Sequence, residues 1–98
     1  MILKFTARAR ASIRDERLWW EQHRDRAPQL FRDELADAIR KIRRGTDAAR
    51  RPYRTRDGQM AWLLLMPKTR HHLVYVTHGT VVEVVGVWNA QGEAAPRL

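Results

Sequence analysis

Residues 59–88 read QMAWLLLM (59–66), PKTR (67–70), HHLVYVT (71–77), HG (78–79) and TVVEVVGVW (80–88). Three runs rich in β-branched, aromatic and other apolar side chains are separated by two short breaks, which is how consecutive strands and tight turns look in sequence. The first run is apolar at nearly every position, as for a strand covered on both faces. His78-Gly79 reads as a two-residue hairpin turn with Gly79 supplying a positive φ. Residues 67–70, opened by Pro67, read as the preceding turn. An antiparallel meander of three strands is expected.

Upstream, the period changes. Phe31, Leu35, Ala38, Ile39 and Ile42 recur at helical spacing and define one apolar stripe. Pro28 suits the first turn of this helix. Gly45 suits its C-terminal cap, with Arg40, Lys41, Arg43 and Arg44 beside the negative end of the dipole. Before it, Ala9, Ile13 and Trp20 share the face of an earlier helix expected over 7–24, with Leu18 and Trp19 flanking that face and Thr6 as N-cap. Ile2–Phe5 reads as a short first strand. It must add beside a strand of the meander to satisfy its backbone, and the last strand is the preferred neighbour. The expected class is α+β: strand, helix, helix and a three-strand meander, with a helical hairpin packed on one face of a small antiparallel sheet. Residues 46–58 are expected to form an exposed basic loop, and residues from Asn89 onward, with Gly92 and Pro96, an irregular tail.

With 98 residues the chain has room for one domain. A hydrophobic share of 44% argues against disorder. There is no cysteine, so disulfides and thiolate metal sites are excluded and a reducing cytoplasm is the expected compartment. No stretch has the length and apolarity of a membrane span, and the first residues do not resemble a secretory leader. The histidines lack metal-ligand spacing: His71 and His72 are adjacent, His23 and His78 isolated. Neither a metal nor another cofactor is expected.

The formal net charge is +8, and of nineteen Lys and Arg only Lys68, Arg70 and Arg97 lie beyond Arg56. A surface so basic, and so rich in Arg, suits nucleic acid, a ribosome or an acidic protein segment. Arg50-Arg51-Pro52-Tyr53-Arg54-Thr55-Arg56 mixes cations with an aromatic ring, a combination fit for phosphate contacts, base stacking or an acidic partner. Trp19 and Trp20 diverge by about 100° around a helix, so one can face the core while the other anchors a partner. Trp88, at a strand end, suits either role. Lys68, Arg70, His71 and His72 form the densest cluster able to hold phosphate or move protons. Alternation along a strand puts Arg70 and His72 on one face and His71 on the other. Tyr75 and His78 are further proton-transfer candidates.

Residues 31–39 (FRDELADAI), 63–75 (LLLMPKTRHHLVY) and 81–88 (VVEVVGVW), together with the element order, resemble the RelE/ParE superfamily of toxins, ParE-like members first. Many members close the last strand with His, or Trp-His, followed by Arg before a Pro. Here Asn89 follows Trp88, and Gln91 stands where the Arg is expected. The resemblance implies the toxin of a type II toxin–antitoxin module. Its partner would be a small antitoxin with a DNA-binding N-terminal part and an acidic C-terminal segment. It implies one of two actions: inhibition of DNA gyrase by binding, the first reading, or cleavage of messenger RNA on the ribosome. For cleavage, Lys68, Arg70 and His72 are the candidate catalytic residues. For target or antitoxin binding, the candidates are Arg50, Arg51, Tyr53, Arg54, Arg56, Trp19 and Trp88. A non-toxic binding module is the third reading.

Overall fold

The computed structural model describes residues 1–89. In chain order the elements are β1 (Ile2–Phe5), α1 (Ala7–His23), α2 (Leu30–Arg44), β2 (Arg51–Arg54), β3 (Met60–Met66), β4 (His71–His78) and β5 (Val81–Asn89). The strands form a single sheet in the order β1-β5-β4-β3-β2. β1 runs parallel to β5, with Ile2 opposite Val81, and all other neighbours are antiparallel. The α+β class and the pairing of the first strand with the last are as expected from sequence.

The helices form where the apolar spacing places them. The Thr6 side chain accepts a hydrogen bond from Ala9 N at 3.0 Å and caps α1. Gly45, in the left-handed region at φ 69°, ends α2. Phe31, Ala38 and Ile42 of α2 and Ala9 of α1 pack with Leu64, Met66, Leu73, Tyr75, Val82 and Val84 on one face of the sheet. Trp20 joins the edge of this core and donates its indole N–H to Ala27 O at 2.6 Å, which fixes the interhelical turn.

Three expectations are corrected. Residues 51–54 are not loop but an edge strand, with Arg51 opposite Leu63 and Pro52 opposite Trp62. Proline argues against a central strand, yet an edge strand tolerates it because its missing N–H costs no ladder bond. Pro28 precedes α2 rather than opening it; the helix starts at Leu30, whose N–H bonds Ala27 O at 3.1 Å. The last hairpin turns on Gly79-Thr80, since His78 pairs with Val81. Gly79 at φ 60°, followed by a residue of ordinary φ, gives the II′ geometry that matches strand twist.

One irregularity matters for function. Val74 faces Gly86 while Tyr75 faces Val84, so Val85 is an extra residue in β5. Such a bulge inverts the alternation of side chains beyond it. Val84 and Val87 therefore both face the helices, and Trp88 emerges on the opposite face.

Candidate functional site

The face of the sheet away from the helices carries a second, smaller apolar cluster: Ala61, Leu63, Val74 and Val76, flanked by Tyr53, Val85 and Trp88. No described helix covers it. At its β2–β3–β4 side lies a concavity of about 390 Å³ lined by Ala49, Arg51, Leu63, Leu65, Arg70 and His72. Leu65, opposite His72, is 42% exposed at the floor of this open face.

Each polar member of the site is put there by a local feature. Arg51 comes from the edge strand. His72 comes from alternation in β4, which sends its neighbour His71 into the core, 2% exposed, against Phe31 and within 2.9 Å of the Glu16 carboxylate. Trp88 comes from the bulge, and its ring stacks on His72 with centroids 4.9 Å apart and planes at 19°. Arg70 comes from the β3–β4 turn, where it is the one non-glycine residue with positive φ among those described, at 64°. A side chain there costs roughly 1–2 kcal/mol. His72 Nδ1 and Trp88 Nε1 are shielded from solvent and make no hydrogen bond to any described residue.

Burial, and after it the positive charges of Arg51, Arg70 and His71, hold the His72 imidazole below the ordinary histidine value of 6.5. At neutral pH it is an uncharged ring between two guanidinium groups, able to accept a proton. The unfolded chain therefore binds this proton more tightly than the folded one. The stability His72 confers is complete above about pH 6.5 and is lost as pH falls from there through its lower folded value. Thermal unfolding followed by circular dichroism between pH 7.5 and 5 (on the order of the window set by that shift) is expected to show a falling midpoint, and His72→Gln to flatten part of that fall. An identical pH profile in the variant rules this account out.

The remaining candidates are dispersed. Lys68 is not among the residues lining the open-face concavity; it lines a neighbouring cleft against α2, with Glu34, Asp37 and Lys41, that shares Leu65 with it. Arg50 lies on the helix side, its guanidinium 3.9 Å from the Trp62 ring centroid and 3.3 Å from Asp47. Asp47 accepts the Tyr75 hydroxyl at 2.5 Å. Burial and that carboxylate push Tyr75 well above the usual tyrosine range, which takes it out of proton transfer. Arg54 braces its own hairpin loop by donating to Gly58 O at 2.8 Å. Arg56 lines another concavity, with Thr6, Arg8 and Asp57, between that loop and the start of α1. Tyr53 packs half-buried on the open face. Trp19 is 42% exposed on the outer side of α1, stacked on His23 at 4.6 Å with Arg24 5.3 Å from its ring centroid. Asn89 ends β5 opposite His71, and Gln91 lies outside the described residues.

Sequence reading missed Glu34, Ala49 and Leu65. Glu34 did leave a signal: it falls three residues after Phe31 and four before Ala38, inside the apolar stripe of α2. Among the described residues no three His, Asp or Glu side chains converge as a metal site would need, and no helix is long and apolar enough to cross a membrane.

No protein-family model matches the chain, and no curated protein matches it. The solved structure of the YoeB/ParE toxin from Agrobacterium tumefaciens is similar to it, with a TM-score of 0.56 and 22% sequence identity over 89% of this chain and 95% of that one. The likeness is one of fold.

Proposed function

We propose that this chain is the toxin of a type II toxin–antitoxin pair and that it engages its target through the open face of its sheet. The observation that carries this reading is the convergence of Arg51 and Arg70 on His72, stacked on Trp88, over a concavity that the helices leave uncovered. The likeness in fold to a YoeB/ParE toxin supports it. The inhibitor is a cognate antitoxin whose acidic segment meets these arginines and whose apolar side chains cover residues such as Leu65.

The action is binding, with DNA gyrase as the target. Metal-free RNA cleavage needs a base for the 2′-hydroxyl, a cation for the phosphorane and an acid for the leaving oxygen. Of the residues lining the concavity, His72 alone can move a proton. The second reading, cleavage of ribosome-bound messenger RNA, is favoured by His72 itself, a neutral imidazole between two phosphate-holding cations. Purified protein tested in a gyrase supercoiling assay beside a ribosome-dependent cleavage assay decides between them. Inhibition of supercoiling with intact message is the expected result. Cuts in the message with normal supercoiling replace the first reading by the second, and inactivity in both, without growth arrest on induction, ends the toxin reading.

A further inference from the structure

The turn that presents Arg70 is held from the far side of the sheet by a single carboxylate. Glu34, on the apolar stripe of α2, is 6% exposed. Its Oε2 accepts the backbone N–H of Lys68 at 2.6 Å. Its Oε1 accepts both the backbone N–H and the hydroxyl of Thr69, at 2.8 and 2.7 Å. Successive backbone N–H groups in a turn make an anion-binding nest, and here the anion is a side chain of the protein itself. Three hydrogen bonds account for the burial of an acid among Phe31, Leu35 and Ala38, since a carboxylate so removed from water needs its lone pairs engaged.

The consequence falls on the next residue. With the N–H groups of Lys68 and Thr69 turned toward α2, the chain re-enters β4 through Arg70, whose N–H closes on Met66 O at 2.9 Å and whose φ is 64°. Glycine is the usual occupant of such a position. An arginine kept there in a strained backbone suggests a requirement for its side chain, which reaches the open concavity beside Arg51 and His72.

We propose that Glu34 is a positioning residue of the open-face site. By clasping Lys68 and Thr69 it holds Arg70 in its left-handed conformation and aims the guanidinium at the concavity, so that anion binding on one face depends on a carboxylate docked on the other. The inference rests on the open face being the target-binding surface proposed above. Removing one charge from α2 acts on the site through Arg70 alone.

The test is a cycle of Glu34→Gln and Arg70→Ala, singly and together, read in two ways. The first is the NMR titration of the His72 ring, which feels the charges of Arg51 from β2 and Arg70 from the turn, and that of His71 from across the sheet. The second is binding of a short oligouridylate by fluorescence anisotropy. Glu34→Gln is expected to raise the His72 midpoint nearly as far as Arg70→Ala does and to weaken oligouridylate about tenfold, the scale of one misplaced charge-assisted contact. In the Arg70→Ala background it is expected to change neither. Equal effects of Glu34→Gln with and without Arg70, or no effect on either readout, overturn the proposal. Thr69→Ala, which removes one of the three bonds and keeps the carboxylate, moves both readouts the same way to a smaller extent if the clasp is as described, and decides the matter should Glu34→Gln not fold. The His72 titration needs no target. A chain without toxicity that still shows the coupling loses the proposed function and keeps the clasp, and a toxic chain without it does the reverse.

Discussion

Arg51→Ala combined with Arg70→Gly is expected to abolish growth arrest on induction while leaving the protein as stable as the parent or slightly more so. The two expectations come from different physics. Arg51 stands on an exposed edge strand, and its truncation removes no core contact. Arg70 sits at φ 64°, so glycine relieves its backbone strain; set against the looser unfolded chain, the net is between no change and a gain of about 1 kcal/mol. Function runs the other way. Each guanidinium that makes a charge-assisted hydrogen bond to its target contributes roughly 1.5–3 kcal/mol, so losing both lowers affinity by about two to four orders of magnitude. Plating efficiency under induction, beside urea denaturation of the purified variant, reads both. If nucleic acid is the ligand, the slope of log affinity against log salt also falls, by about 0.7 for each lost cation on a single strand; a protein target shows no such fixed decrement. Undiminished growth arrest from a folded double variant moves the functional surface elsewhere on the molecule.

That surface was partly legible in the sequence. Alternation placed Arg70 and His72 on one face and His71 on the other, and the structure agrees: His71 is buried beside Glu16 and His72 lines the concavity. Alternation accounts for His71 and His72, which lie in the extended backbone of β4, whereas Arg70 reaches the His72 face from the turn at φ 64°. Lys68 was grouped with Arg70 by nearness in sequence alone, which fixes no direction within a turn, and it lines the cleft against α2. Trp88 could not be placed because its face is set by the bulge at Val85, which arises from the register of two strands rather than from residues near Trp88. Arg51 was visible as a basic residue but not as part of a sheet. Pro52 masks the strand, and what stabilises an edge strand is its neighbour β3, eight or more positions away along the chain at every pairing except the innermost.

Helices were legible for a related reason. The stripe of α2 and its glycine cap are written within fifteen residues, and a period of 3.6 over four turns has few rivals. Glu34 shows the cost of reading such a stripe only for apolar side chains. Its partners lie 34 and 35 positions downstream in the β3–β4 turn, so the sequence marks an acid on the wrong face without saying what satisfies it. A buried acid in a helical stripe is best read as a demand for a donor elsewhere in the fold.

The largest loss of stability is expected from Phe31→Ala. Phe31 is 1% exposed, lies in the first turn of α2 and packs into the core between both helices and the sheet. It also supports the His71 ring, with centroids 5.0 Å apart and planes at 72°. Truncation removes that burial and leaves a cavity under the end of β4 that a neighbouring helix cannot fill without leaving its own contacts, at a cost of about 3–5 kcal/mol. A domain of this size is stable by roughly 5–15 kcal/mol in all, and each kcal/mol moves the thermal midpoint by about 4–8 °C. The variant is therefore expected to unfold roughly 15 °C or more below the parent. Trp19→Ala removes a larger ring from the same helical hairpin, but one exposed on α1, where it meets His23, Arg24 and, in a tilted contact at 6.1 Å, Trp20, and is expected to cost no more than about 1 kcal/mol. The comparison separates docking of the hairpin from its propensity to be helical. Were Trp19→Ala to cost as much as Phe31→Ala in urea titrations of equal slope, the core of the molecule would lie on the outer side of α1, and the face of the sheet left open to a target would be the wrong one.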